Sequence, residues 1–155
     1  MKKKYSSSTD LDQVSEPAAV YSKPNSFSSH IFKDNYSLIK KANEGVKTEV
    51  FYTLAEKINM PEKILASIIN LSPRTISNYR DQNKDLDPNY SEHLLKIVKL
   101  YKLGIDIFGN VKEFSAWMER PFYNSDEKPL DFLNTSGGVD LIAEEIEKLA
   151  QGYPL

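Results

Sequence analysis

Two short helical patterns separated by a turn, within residues 61–80, constrain this chain more than any other feature. Ile64, Leu65, Ile68 and Ile69 recur at helical spacing, which predicts a short helix with one buried face. Asn70 stands where the chain must turn, and asparagine tolerates the left-handed backbone conformation better than most residues other than glycine. Ser72-Pro73 then restarts a helix. The hydroxyl can cap free N–H groups, and proline suits the first helical position, where its missing N–H costs nothing. Ile76 and Tyr79 turn back to the core, leaving Arg74, Ser77 and Asn78 outward, and small Ala66 lets the two helices cross closely. Two short helices around a three- to four-residue turn form a helix-turn-helix, whose second helix can enter a DNA major groove. An ordinary pair of bundle helices, with Arg74 and Arg80 merely solvated, is the competing reading.

The remaining pattern is helical throughout. Asp34-Asn35 can cap a helix through Tyr36, Leu38, Ile39 and Ala42 that stops at Gly45. Thr48 opens the next, with Val50, Phe51, Leu54, Ala55 and Ile58 on one face; Asn59 ends it and is expected to cap its successor. Asp87-Pro88 reads as a cap and first-position proline for the longest helix, whose stripe Leu94, Ile97, Val98, Tyr101, Ile105 and Phe108 is widened by Leu95, Leu100, Leu103 and Ile107. Apolar on two sides, it belongs at the centre of a bundle, or alternatively between subunits. Asn110 and Glu113 have capping-box spacing before Phe114 and Trp117, which read as core. Pro129–Leu133 can make one or two turns, and Thr135 or Ser136 caps a last helix carrying Val139, Ile142, Ile146 and Leu149, ended by Gly152. No stretch alternates like a strand, so the fold class is all-α. Residues 1–33, Ser-rich and without period, read as a flexible arm, followed by a helix-turn-helix domain over 34–86 and a helical domain over 87–155.

Composition narrows the chemistry. The absence of cysteine excludes disulfides, thiolate metal sites and a cysteine nucleophile, and with only His30 and His93 no metal or cofactor is expected. No paired carboxylates, glycine-rich phosphate loop or histidine-centred constellation points to an enzyme. No apolar run approaches membrane-spanning length, and Lys2–Lys4 lead into Ser6–Thr9 rather than an apolar segment, so a cytoplasmic location without membrane contact is expected. The net charge of −2 argues against indiscriminate nucleic-acid binding. Charge is uneven, however: residues 61–84 are mildly basic, whereas 121–155 hold Lys128 and Lys148 against seven acids. Two surfaces with different partners are implied.

Several motifs carry a family resemblance. Leu100-Tyr-Lys-Leu-Gly-Ile-Asp-Ile-Phe-Gly109, Phe114-x-x-Trp117-Met118, Pro121, Lys128-Pro-Leu-Asp-Phe-Leu133, Thr135, Gly138 and the terminal Gly152-Tyr153 resemble the Xre/MbcA/ParS toxin-binding domain. Glu44-Gly45-Val46, Leu71-Ser-Pro-Arg-Thr-Ile76 and Asp87-Pro88 extend the likeness to an Xre-like helix-turn-helix, so that it runs from about residue 35 to the end. One departure stands at Tyr123-Asn124-Ser125-Asp126, where members commonly carry a Leu-Gly-Gly-like turn.

The resemblance implies an antitoxin of a type II toxin–antitoxin module, paired with a RES-domain toxin similar to ADP-ribosylating, NAD-consuming enzymes, and repressing its own operon. In the family the C-terminal end reaches toward the toxin's active-site cleft, which maps to Leu149–Leu155. Tyr153 is the expected plug, stiffened by Pro154 and followed by Leu155, with Glu144 and Glu147 (and Asp140) facing a basic cleft. For DNA, Arg74, Ser77 and Asn78 are assigned to base edges, and Thr75, Arg80 and Lys84 to phosphates, with Ser72 at the same helix end. One short helix reads few bases, so a homodimer on an inverted repeat is expected, its recognition helices about 34 Å apart. A helix-turn-helix regulator whose C-terminal domain binds a ligand or only dimerises is the alternative.

Overall fold

The structure, a computed structural model, describes residues 34–153; the arm over 1–33, Pro154 and Leu155 lie outside the described residues. The element order is α1 (Asn35–Glu44), α2 (Thr48–Lys57), α3 (Glu62–Ile68), α4 (Pro73–Asp81), α5 (Pro88–Phe108), α6 (Val111–Met118), a 3-10 turn (Pro129–Phe132) and α7 (Ser136–Ala150). The all-α class is as expected.

Side chains close the starts of α1, α4, α6 and α7. Asp34 accepts from the Ser37 N–H at 2.8 Å, Asn110 from Glu113 at 2.9 Å, and Thr135 rather than Ser136 caps α7 by accepting from Gly138 at 3.0 Å. The ends of α2, α3 and α4 share one device. Asn59, Asn70 and Asn83 take φ of 53°, 60° and 50°, and the next N–H in each case returns to a carbonyl five residues earlier: Met60 to Ala55, Leu71 to Ala66, Lys84 to Tyr79. These are Schellman endings in which asparagine does the work usually given to glycine. Gly152 and Tyr153 close α7 in the same way.

Two expected caps are corrected. Asn59 does not cap α3; it is the left-handed residue that terminates α2, and Pro61 stands at the cap of α3 with no side-chain bond. Nor does Asp87 cap α5, because its carboxylate is taken by the Tyr79 hydroxyl at 2.9 Å. Ile64 also departs from the expected buried face. In this seven-residue helix Leu65, Ala66 and Ile68 point at the core, joined by Ile69 just past its end, and Ile64, a hundred degrees round from Leu65, is exposed.

The long helix α5 lies at the centre, as its two-sided stripe predicted, with α1, α6 and α7 packed around it. Gly104 makes room for α6: a Cβ there would stand 2.5 Å from the Phe114 ring. Phe114 is fully buried, edge-on to Tyr101 at 5.1 Å and stacked on half-buried Trp117 at 6.1 Å. Burying one such side chain contributes roughly 1.5–3 kcal/mol. A buried serine joins the two halves: Ser91 accepts from the Val46 N–H at 3.0 Å and donates to the Leu86 carbonyl at 2.9 Å, beside a single bridge between Val46 and Leu86. One buried cluster therefore runs from Leu38 in α1 to Ile146 in α7.

Candidate nucleic-acid interface

The helices α3 and α4 meet through the turn Ile69–Ser72, and each side of that turn is built from local chemistry. Asn70 supplies the positive φ that releases the chain from α3. Ser72 Oγ then accepts from the Thr75 N–H at 3.0 Å and pairs with the Thr75 hydroxyl at 2.8 Å, so both hydroxyls belong to the start of α4. Ile76 is the one buried residue of α4 and pins its inner face against α2 and α3.

The outer face carries the residues expected to meet DNA, in unequal states. Arg74 and Asn78, one turn apart on the same side, are exposed, and their side chains make no hydrogen bond or ion pair among the described residues. Ser77 is half-buried and accepts from Arg80 Nη2 at 3.3 Å. Arg80 lies with its guanidinium 4.9 Å from the centre of the Tyr52 ring on α2, and its Nε is 3.7 Å from the Asp81 carboxylate. Lys84 sits 4.6 Å over the Tyr79 ring and 4.0 Å from Asp87. The Tyr79 phenol is raised above its ordinary value, first by its bond to the Asp87 carboxylate, and that of Tyr52 chiefly by burial.

Tyr52 carries no signal in the sequence, because it falls beside the apolar stripe of α2 and meets its partner only through the crossing of α2 and α4. Asn70 forms the turn that its place in the sequence predicts, and its side chain has a second use: Nδ2 donates to the Asn134 carbonyl at 3.0 Å, tying the turn to the segment ahead of α7. One residue earlier, the Leu133 carbonyl accepts from His93 Nε2 at 2.7 Å. Burial holds the His93 imidazole below its ordinary pKa.

The other expected surface is spread along α7. Glu144 and Glu147 are exposed and line a groove with Ile39 of α1 and Leu103 of α5. Asp140, on the same groove, is paired with Lys96 at 2.6 Å. Leu149 is half-buried, Gly152 takes φ 83°, and Tyr153 is 61 % exposed beyond the helix end. These residues run along α7 and past its end, far in the chain from α4. A separate groove of about 800 Å³ opens between the α2–α3 connection and α6, floored by Tyr101, whose phenol burial pushes up to about 12. Among the described residues no group of three or more histidines or carboxylates is placed to hold a metal ion, and no helix is long and apolar enough to cross a membrane.

A search of curated proteins returns no match. Residues 37–99, from the first turn of α1 to the middle of α5 and so including the whole of α3 and α4, match the family model described as the antitoxin Xre-like helix-turn-helix domain.

Proposed function

We propose that this chain is the antitoxin of a type II toxin–antitoxin pair. It reads operator DNA with α4 and covers a RES-domain toxin with the end of α7. The observation that carries the DNA half is the exposed, unpartnered pair Arg74 and Asn78 on the second helix of a domain similar to antitoxin Xre-like helix-turn-helix domains. Arginine matches the paired acceptors of guanine and asparagine the donor–acceptor edge of adenine. Binding as a homodimer to an inverted repeat follows from the few bases a nine-residue helix can touch.

The toxin half rests on the motifs of the C-terminal unit and on the exposed carboxylates Glu144 and Glu147, followed by a projecting Tyr153. A pocket that normally receives an anionic cofactor is basic, and a tyrosine fills such a pocket with a rigid apolar body and a polar tip. In this arrangement the chain blocks catalysis and performs none.

The test is whether the adjacent reading frame encodes a RES-domain protein and, on co-expression with it, whether growth is rescued. Gel shift on the shared promoter, with and without that protein, is the second readout. Rescue together with a shift supports both halves. A shift without rescue or a co-purifying partner favours a regulator with a ligand-binding C-terminal unit, for which the groove over Tyr101 offers space. Thermal stabilisation by a small molecule is the readout for that reading.

A further inference from the structure

Arg80 is the cation at the C-terminal end of α4, where a helix-turn-helix usually meets the DNA backbone. Its surroundings describe a different task. The guanidinium lies over the Tyr52 ring, 4.9 Å from its centre and on another helix, and Tyr52 is itself edge-on to fully buried Phe51 at 5.2 Å. Nη2 donates to Ser77 Oγ at 3.3 Å and Nε lies 3.7 Å from the Asp81 carboxylate, so the guanidinium, although its side chain is 49 % exposed, has neighbours within the protein on three sides. Ser77 and Arg80 are three residues apart and share a face of α4 with Arg74 and Asn78 close by. Tyr52 is the only described aromatic ring over which Arg80 is placed, and it belongs to the α2–α4 contact that sets the direction of the recognition helix.

We propose that Arg80 is a positioning residue for DNA reading and not a phosphate contact: placed over Tyr52, it aims α4 and presents the Ser77 hydroxyl to a base edge. This rests on the DNA-binding reading above and names how that site is held. The Tyr52–Arg80–Ser77 chain runs from the core of the domain to the reading face. A planar guanidinium can stack and donate at the same time, whereas an ammonium on the same stem cannot do both.

The experiment uses the full chain and a pool of duplexes with a randomised centre, from which the enriched sequence becomes the probe. Affinity for that duplex and for a random-sequence duplex is measured across a salt series for the wild type, Arg80→Ala, Arg80→Lys and Tyr52→Leu. Loss of one phosphate contact lowers the slope of log K against log salt by about 0.9. A positioning role leaves the slope of Arg80→Ala unchanged while the preference for the enriched duplex falls roughly fivefold to tenfold, as expected for one weakened base contact. Arg80→Lys then behaves like Arg80→Ala, Tyr52→Leu reproduces the loss with Arg80 intact, and a variant carrying both Tyr52→Leu and Arg80→Ala is no worse than either single one. A lower slope in Arg80→Ala that Arg80→Lys restores, with Tyr52→Leu silent, overturns the proposal and returns Arg80 to the phosphates. Failure of the wild type to enrich any duplex removes the DNA-binding reading itself, and the role of Arg80 with it. Far-UV circular dichroism and amide exchange in α5 separate these outcomes from unfolding, since neither should change in any of the variants.

Discussion

Asn70 donates from Nδ2 to the carbonyl of Asn134, 3.0 Å away and 64 residues later, while its own backbone sits at φ 60°. One residue thus ends α3 and fastens the helix-turn-helix to the approach of α7. The two tasks separate by substitution. Asn70→Gly keeps the left-handed backbone and loses the bond, so it is expected to cost roughly 0.5–1.5 kcal/mol. Asn70→Ala also loses the bond, and it keeps a Cβ at positive φ without the short polar side chain that lets asparagine tolerate that conformation, a penalty of about 1–2 kcal/mol more than Gly. Urea denaturation should rank wild type above Gly above Ala; equal loss in both variants would show that the hydrogen bond contributes and the backbone does not.

Arg74 has no partner within the described residues, so Arg74→Ala should leave folding stability within about 0.5 kcal/mol of wild type. Its operator affinity is expected to fall by roughly 1–3 kcal/mol, with preference relaxed at one base pair. Titration of single-base operator variants reads this directly. Uniform weakening on every sequence would place Arg74 at a phosphate.

Deleting Gly152–Leu155 removes the turn that closes α7 and everything beyond it. The buried positions Val139, Ile142 and Ile146 are untouched, so helical content and DNA affinity should hold. Neutralisation of the toxin is expected to weaken, seen as lost growth rescue on co-expression. Full rescue by the truncated chain would reject Tyr153 as the plug.

A Cβ at Gly104 would meet three carbons of the Phe114 ring at 2.5 Å. Gly104→Ala therefore forces α5 and α6 apart or turns the ring, an overpacking cost of roughly 1–3 kcal/mol. Thermal unfolding of Gly104→Ala, alone and with Phe114→Leu, checks it. The smaller, flexible side chain should recover part of the loss in the Gly104→Ala background even though it destabilises the wild type.

His93 is buried, with Nε2 donating to the Leu133 carbonyl, and burial lowers its pKa from the ordinary 6.5. The unfolded chain therefore takes up the proton more readily than the folded one. The neutral imidazole's contribution is fully present above the unfolded pKa and is lost as pH falls through the folded one. Stability should decline on acidification below about pH 6.5, by no more than about 1.4 kcal/mol per pH unit for this one site. Comparing the pH dependence of urea midpoints for wild type and His93→Gln isolates the effect. An unchanged slope in the variant would assign the acid sensitivity to other groups.

Much of this was legible from local patterns. The turn-and-cap run Asn70-Leu71-Ser72-Pro73, the stops at Gly45, Gly109 and Gly152 and the two-sided stripe of α5 are encoded within a few residues of where they act. Such features depend on backbone propensity and side chains three or four positions away, and both can be read without a fold. Asp87 shows where that kind of reading stops. Its sequence context is that of a helix cap, yet a tyrosine eight residues earlier reaches the carboxylate instead.

By itself, the sequence determined the helices, their order, the central place of α5 and the presence of an outward face on α4. Only the tertiary structure decided which polar residues of that face remain available. Arg80 is drawn onto Tyr52, Thr75 is held by Ser72, and Arg74 and Asn78 are left open. Helix formation is governed by neighbours along the chain, whereas whether a charged or polar group is free depends on what the crossing of distant helices brings within a few ångströms of it.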